Sequence, residues 1–309
     1  MAIISECTYQ DFTLLSSKEV VKDYSTIGDT DTCPFELPVF AYPSDTTDKY
    51  RNDFTAPLFF GGNRYSNAAF YLEELVNGCT WTEVSILNDA TYGTYYSSFT
   101  DRATWIGFVV QWYKVYNVEG VGCYRIRLQY DDIVDVVTKV EYSYKYNLKL
   151  FNANLADKTT KIEYKINGGK IGSTQSQTEV IDYGVNTWNR EVRLPNSFFG
   201  FESSEYSEEF TRYKNGAQVW TQNEQTESIN FNVKKLPYTL HRELKITALM
   251  SDELFLYDYN LSNPNTDMYN RFRVVKSSNY EPKWNLYNPY ASVELTFKPY
   301  FENLRRKRC

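Results

Sequence analysis

His241 is the only histidine in the 309-residue chain, and it bounds the acid–base and nucleophilic chemistry open to it. A Ser-His-Asp or Cys-His arrangement needs one such imidazole as general base. His241 lies between Leu240 and Arg242 in a stretch of helical pattern, and no GxSxG nucleophile elbow accompanies it. A surface or interface side chain is the expectation. A metal centre would draw on His, Cys or carboxylates at ligand spacing. The nearest groups are Asp29 with Asp31, and Asp131 with Asp132 and Asp135; neither continues into an EF-hand loop. Both read as solvated turn carboxylates. Glu202, Glu205, Glu208 and Glu209 cluster near Phe198-Phe199-Gly200-Phe201. Paired carboxylates about 5–10 Å apart can hydrolyse a glycoside, but 39 acidic residues produce such clusters by chance. No GxxxxGK[ST] or GxGxxG is present, and Gly168-Gly169-Lys170-Ile171-Gly172 reads as a hairpin turn. No catalytic residue, metal or cofactor is assigned, and a non-enzymatic protein is expected.

Binding chemistry has more to draw on. The chain holds 28 Tyr and 19 Phe, residues that favour strands and also dominate interface cores. Trp81, Tyr92, Tyr95, Tyr96, Trp105 and Trp112 could form a platform that stacks on sugar faces, with Tyr92-Gly93-Thr94-Tyr95-Tyr96 as its most exposed part. The net charge of −6 conceals an asymmetry: residues 1–139 carry 10 Lys+Arg against 19 Asp+Glu, a net of −9, and the remainder carries 23 against 20, a net of +3. Opposite-signed halves can dock head to tail on copies of the same chain. The basic run Arg305, Arg306, Lys307 and Arg308 is the candidate partner contact, with the acidic half of a neighbour as its target. The acidic balance argues against a phosphate-binding sheath. Five widely spaced cysteines without a CxxC pair fit reduced thiols, and no secretory signal or bilayer-spanning apolar run is read, so assembly in a cytoplasm is expected.

The elements that would position these residues are mostly strands. Residues 1–66, with four prolines and a Gly61-Gly62-Asn63 turn, read as an irregular arm with short strands. A first β domain spans 67–138: a strand over Ala68 to Leu75, then an apolar run from Thr104 to Tyr116 joined through Glu119-Gly120-Val121-Gly122 to Cys123 to Tyr130 as an antiparallel hairpin. A second β domain spans 139–309. In Lys139 to Phe151, Tyr142, Tyr144, Tyr146, Leu148 and Leu150 share one face in the cleanest period-2 pattern of the chain. Strands follow at Thr160 to Ile166, Leu254 to Tyr259, Arg271 to Val275 and Ser292 to Phe297, with a hairpin around Lys214-Asn215-Gly216. One prominent helix is predicted over about 238–251, where Pro237 fits a first-turn position and Leu240, Leu244 and Ala248 recur every four residues. The fold class is mainly β: two antiparallel β-sandwich-like regions with one α-helix in the C-terminal half.

A family texture emerges along roughly residues 104–300. Its marks are Gly122-Cys123-Tyr124-Arg125-Ile126-Arg127, Tyr144-Lys145-Tyr146-Asn147-Leu148-Lys149, Trp188-Asn189-Arg190-Glu191-Val192-Arg193-Leu194-Pro195 and Tyr213-Lys214-Asn215-Gly216. Tyr280-Glu281-Pro282-Lys283-Trp284 and Val293-Glu294-Leu295-Thr296-Phe297 complete it. The chain resembles virion structural proteins of crAss-like and related Bacteroidetes phages, of the tail or head-to-tail connector type. The resemblance implies a ring of identical β-rich subunits in a tail barrel, touching copies of itself and other virion proteins, with contact to DNA in the lumen left open; no membrane insertion is expected, since no apolar run is long enough. A glycan- or receptor-binding tail module is the alternative.

Overall fold

In the computed structural model the described residues are 36–55, 58–60, 65–77, 80–96, 106–156, 158–167, 170–171, 181–182, 187–195, 198–212, 218–237, 240–241, 244–245, 248–258, 270–285, 288–300 and 303–307. The N-terminal part supplies β1 (Glu36–Ala41), β2 (Leu58–Phe60), β3 (Tyr65–Val76), β4 (Thr80–Ile86), β5 (Gly93–Tyr96), β6 (Ile106–Val110), helix α1 (Trp112–Glu119), β7 (Gly122–Asp132) and β8 (Val137–Leu150). The short helix α2 (Ala153–Ala156) leads into β9 (Thr159–Asn167), β10 (Lys170–Ile171), β11 (Ile181–Asp182), β12 (Thr187–Pro195), β13 (Phe198–Arg212) and β14 (Gln218–Pro237). The chain ends with β15 (Glu253–Asp258), β16 (Asn270–Lys276), β17 (Lys283–Asn285), β18 (Asn288–Pro299) and β19 (Asn303–Lys307).

The chain is mainly β, with its sheets in sandwich-like arrangement. One sheet runs β1-β8-β7-β3-β4, and a larger one runs β12-β9-β15-β16-β18-β14-β13, with β17 on β18 and β19 on β14. Small sheets β2-β6-β5 and β10-β11 accompany them. The pairing is antiparallel except for β1, which lies parallel to β8 with Glu36 opposite Lys145. Strand alternation explains β7 directly: Tyr124, Ile126, Leu128 and Tyr130 are buried, and Arg125, Arg127 and Gln129 point to the other face. One continuous core joins Phe70, Trp112 and Tyr124 of the first sheet's side to Tyr164, Ile229 and Phe297 of the second.

Three expectations are corrected. The run from Thr104 to Tyr116 is not one strand: β6 ends at Val110, and α1 begins at Trp112. Trp112 and Val115, three residues apart, put one helical face into the core. Gly120 stops the helix at φ +89°, its N–H bonded to the Tyr116 carbonyl at 2.9 Å. Consequently β6 pairs with β2 and β5, and β7 pairs with β3 and β8, so the expected β6–β7 hairpin does not form. The expected division at 138/139 falls inside β8, which is bonded to β7 and β1, so the first sheet extends to Leu150. The tyrosine face of β8 is broken by a bulge, because Arg125 opposes Lys145 while Arg127 opposes Tyr142. Tyr144, Tyr146 and Leu148 are buried, but Tyr142 turns to the outer face and Leu150 is exposed.

Several expected strands are found. The strands expected near 68–75, 160–166, 254–259, 271–275 and 292–297 correspond to β3, β9, β15, β16 and β18. The strands β13 and β14 flanking the expected hairpin pair antiparallel up to Arg212 opposite Gln218, and the turn residues 214–216 themselves lie outside the described residues. Within 238–251 the described residues 240–241 and 244–245 are helical, and Ala248–Met250 forms a 3-10 turn. Leu240, Leu244 and Ala248 are all buried.

Candidate functional site

Two polar constellations stand out, and both depend on strands from distant parts of the sequence. The first is buried where the N-terminal segment crosses β9 and β12. Lys161 of β9 and Arg193 of β12 face each other across the ladder. Asp53 accepts a bidentate pair from Arg193, from Nε to Oδ2 at 2.7 Å and from Nη2 to Oδ1 at 2.9 Å. Lys161 Nζ reaches Glu191 Oε2 at 2.8 Å and Asp53 Oδ1 at 3.2 Å. It also donates to the carbonyl oxygens of Lys49 and Asn52, both at 2.8 Å. The Phe40 N–H donates to Asp53 at 2.8 Å, and the Phe54 N–H donates to Glu191.

Two cations and two carboxylates thus neutralise each other inside the protein. Burial alone would raise the Asp53 carboxyl, but the charges of Arg193 and Lys161 and the Phe40 N–H hold it below its ordinary value. Burial pushes Glu191 up to about 7, against the opposing pull of Lys161 and with help from the charge of Asp53. Side-chain exposure of Lys161 and Arg193 is 1% each, so neither presents a nucleophile or an anion site to a solute. The arrangement ties residues 40–54 to the second sheet as a clamp.

The second constellation covers the outer face of the first sheet. The Arg125 guanidinium lies between Trp81 and Tyr142, 4.3 and 4.0 Å from their ring centres. Arg127 lies 4.1 Å from the Tyr71 ring centre. Glu73 pairs with both, at 2.7 Å to Arg125 and 2.6 Å to Arg127, and Glu83 also pairs with Arg127. Flat guanidinium groups stacked on rings and forked onto carboxylates make a pre-ordered, mixed polar and aromatic surface. Chemically it is suited to contact with another protein.

The residues singled out in sequence are distributed widely. His241 is buried rather than on the surface: its ring nitrogens meet Tyr280 Oη at 2.5 Å and the Ala291 carbonyl at 3.1 Å, and Trp284 packs edge-on at 5.3 Å. Burial lowers its pKa. Asp132 is likewise not a solvated turn carboxylate; it is buried, accepts the N–H groups of Val134 and Asp135, and pairs with Lys139 at 2.6 Å. Asp29 and Asp31 lie outside the described residues. Among the described residues no group of three His, Cys, Asp or Glu is placed to hold a metal ion. Glu202, Glu205, Glu208 and Glu209 run along β13 opposite Ser228, Thr226, Asn223 and Gln222 of β14.

The six-ring platform is taken apart. Trp112 is fully buried and donates to Thr55 Oγ1 at 2.9 Å, and Tyr92 is buried with its hydroxyl on Glu119 at 2.6 Å. Tyr95 packs against the core, Trp81 belongs to the arginine stack, and Trp105 lies outside the described residues. Arg305, Arg306 and Lys307 sit on β19, opposite Glu224, Asn223 and Gln222; Arg308 lies outside the described residues. The basic run is therefore mostly sheet rather than a frayed end. No protein-family model and no curated protein matches the chain.

Proposed function

We propose that the chain is a structural subunit of a phage tail or head-to-tail connector, closing with copies of itself into a ring and packing against neighbouring virion proteins. One observation supports the reading above the others. Among the described strands, the 15-residue β13 is hydrogen-bonded along one side alone, to β14. An edge that long offers a template for pairing with another chain, and a ring supplies such a partner at every interface. The 20-residue β14 lends reach. Its residues beyond the last β18 partner, Ile229 opposite Phe297, pair with β13 and β19 only. The resemblance along residues 104–300 and the opposite-signed halves support the same assignment.

Native mass spectrometry and negative-stain imaging of the purified full chain test it. A closed ring of one subunit type is the expected result. A compact monomer at every concentration, even with neighbouring virion proteins added, would overturn it.

A further inference from the structure

The turn joining β7 to β8 is the most apolar exposed point among the described residues. Ile133 is 55% exposed, Val134 66%, Val136 85% and Val137 46%. Turns normally carry Gly, Asn or Asp, and Val136 departs from this twice, being apolar and holding φ at +53°. A β-branched side chain in that region is strained, and Gly or Asn would relieve it without changing the path of the chain. Nothing inside the subunit gains from the valine, because its side chain points into solvent.

The base of the turn is rigid. Asp132 caps it through the Val134 and Asp135 N–H groups, at 3.1 and 3.2 Å. Lys139 bridges Asp132 and Asp135, at 2.6 and 2.9 Å. Asp131 is held by Asn67 and Thr138, each at 2.7 Å. A firm acidic collar thus presents a strained apolar knob.

We propose that this knob is the anchor by which one copy of the chain packs on the basic C-terminal half of the next. The inference rests on the ring reading and adds the contact that would hold the ring together. Charge selects the occupant. Asp131 and Asp135 on the collar repel an anionic bilayer surface, which recruits cationic segments instead. They attract the half of a second copy that carries the net positive charge and the Arg305-Arg306-Lys307 strand.

Three full-length proteins test this: wild type, Val134→Ser with Val136→Ser, and Val136→Gly. The glycine variant guards against misfolding, since it relaxes the strained backbone and its melting temperature should equal or exceed that of wild type. Native mass spectrometry across a dilution series is expected to show at least a tenfold higher dissociation concentration for both variants. A photo-crosslinker at position 134 should label residues 140–309 of another copy. Rings that persist unchanged in both variants would overturn the knob and leave the ring reading standing, whereas wild-type monomer at all concentrations would overturn both. Crosslinks confined to a different protein, or knob-dependent flotation with phosphatidylcholine–phosphatidylglycerol vesicles, would overturn the choice of a second copy.

Discussion

Lys161 shows at the residue scale why charge pattern alone misleads. In β9 the order Lys161, Glu163, Lys165 alternates with Ile162, Tyr164, Ile166, which ordinarily marks a solvent face. Lys161 is fully buried because residues 49–54 cover it, and the carboxylates that neutralise it, Asp53 and Glu191, come from two other segments of the chain. No window along the chain contains that information. Removing one member leaves the rest uncompensated, so Arg193→Met or Lys161→Met should destabilise the fold by about 3–5 kcal/mol, read from the denaturant midpoint. Glu191 and His241 give opposite pH slopes. The raised carboxyl of Glu191 holds its proton in the folded state up to about pH 7, while the unfolded chain loses it near the ordinary 4.5. Its contribution to stability is therefore lost as pH rises through that window. His241, with its pKa lowered from 6.5, stays neutral when folded, so its contribution is lost as pH falls below that value. Glu191→Gln should remove the first slope and His241→Gln the second in urea melts at a series of pH values.

Elements were legible where one face alone meets the core. β7 follows its apolar alternation, and the helical stretch after Pro237 follows its four-residue spacing. The boundary inside Thr104 to Tyr116 was not legible, since an apolar aromatic run suits a buried strand and a buried helix equally. The deciding residue is Gly120. A Cβ there would meet nothing within 4 Å, so Gly120→Ala isolates backbone conformation and should destabilise by about 1–3 kcal/mol in chemical denaturation. The bulge in β8 was hidden for a different reason. Tyr142 has the spacing of a core residue, and only the extra residue opposite Arg125 and Arg127 sends it to the arginine stack. A double-mutant cycle on Arg125→Ala and Tyr142→Ala should return a coupling of about 0.5–2 kcal/mol, where two independent surface residues would return none. Much of β13 was missed because Glu, Ser and Thr on successive positions leave no period, and only its Lys214-Asn215-Gly216 tip carries a turn signal.

At the scale of the whole molecule, charge is divided along the sequence while the core is shared. The −9 of residues 1–139 and the +3 of the remainder belong to segments packed on one continuous cluster of apolar residues. The Asp53 clamp satisfies part of the attraction between unlike halves within the subunit, the proposed ring would use the rest between copies, and salt should reveal it. Raising ionic strength from about 0.1 M to about 1 M shortens the screening length from about 10 Å to about 3 Å. The proposed oligomer should weaken over that range in sedimentation velocity, while the melting temperature of the subunit changes little.

The parallel strand β1 and the Asp53 clamp carry a further consequence for how the protein is made. β1 cannot pair until residues 145–150 exist, and Asp53 meets Arg193 across 140 positions of chain. Ribosomes add about 5–20 residues per second, so the segment waits on the order of ten seconds after its own synthesis. During that interval Leu37, Val39 and Phe40 have no sheet to enter, and the nascent chain is open to proteases and chaperones. Residues 36–54 are thus latched only by strands translated long after them.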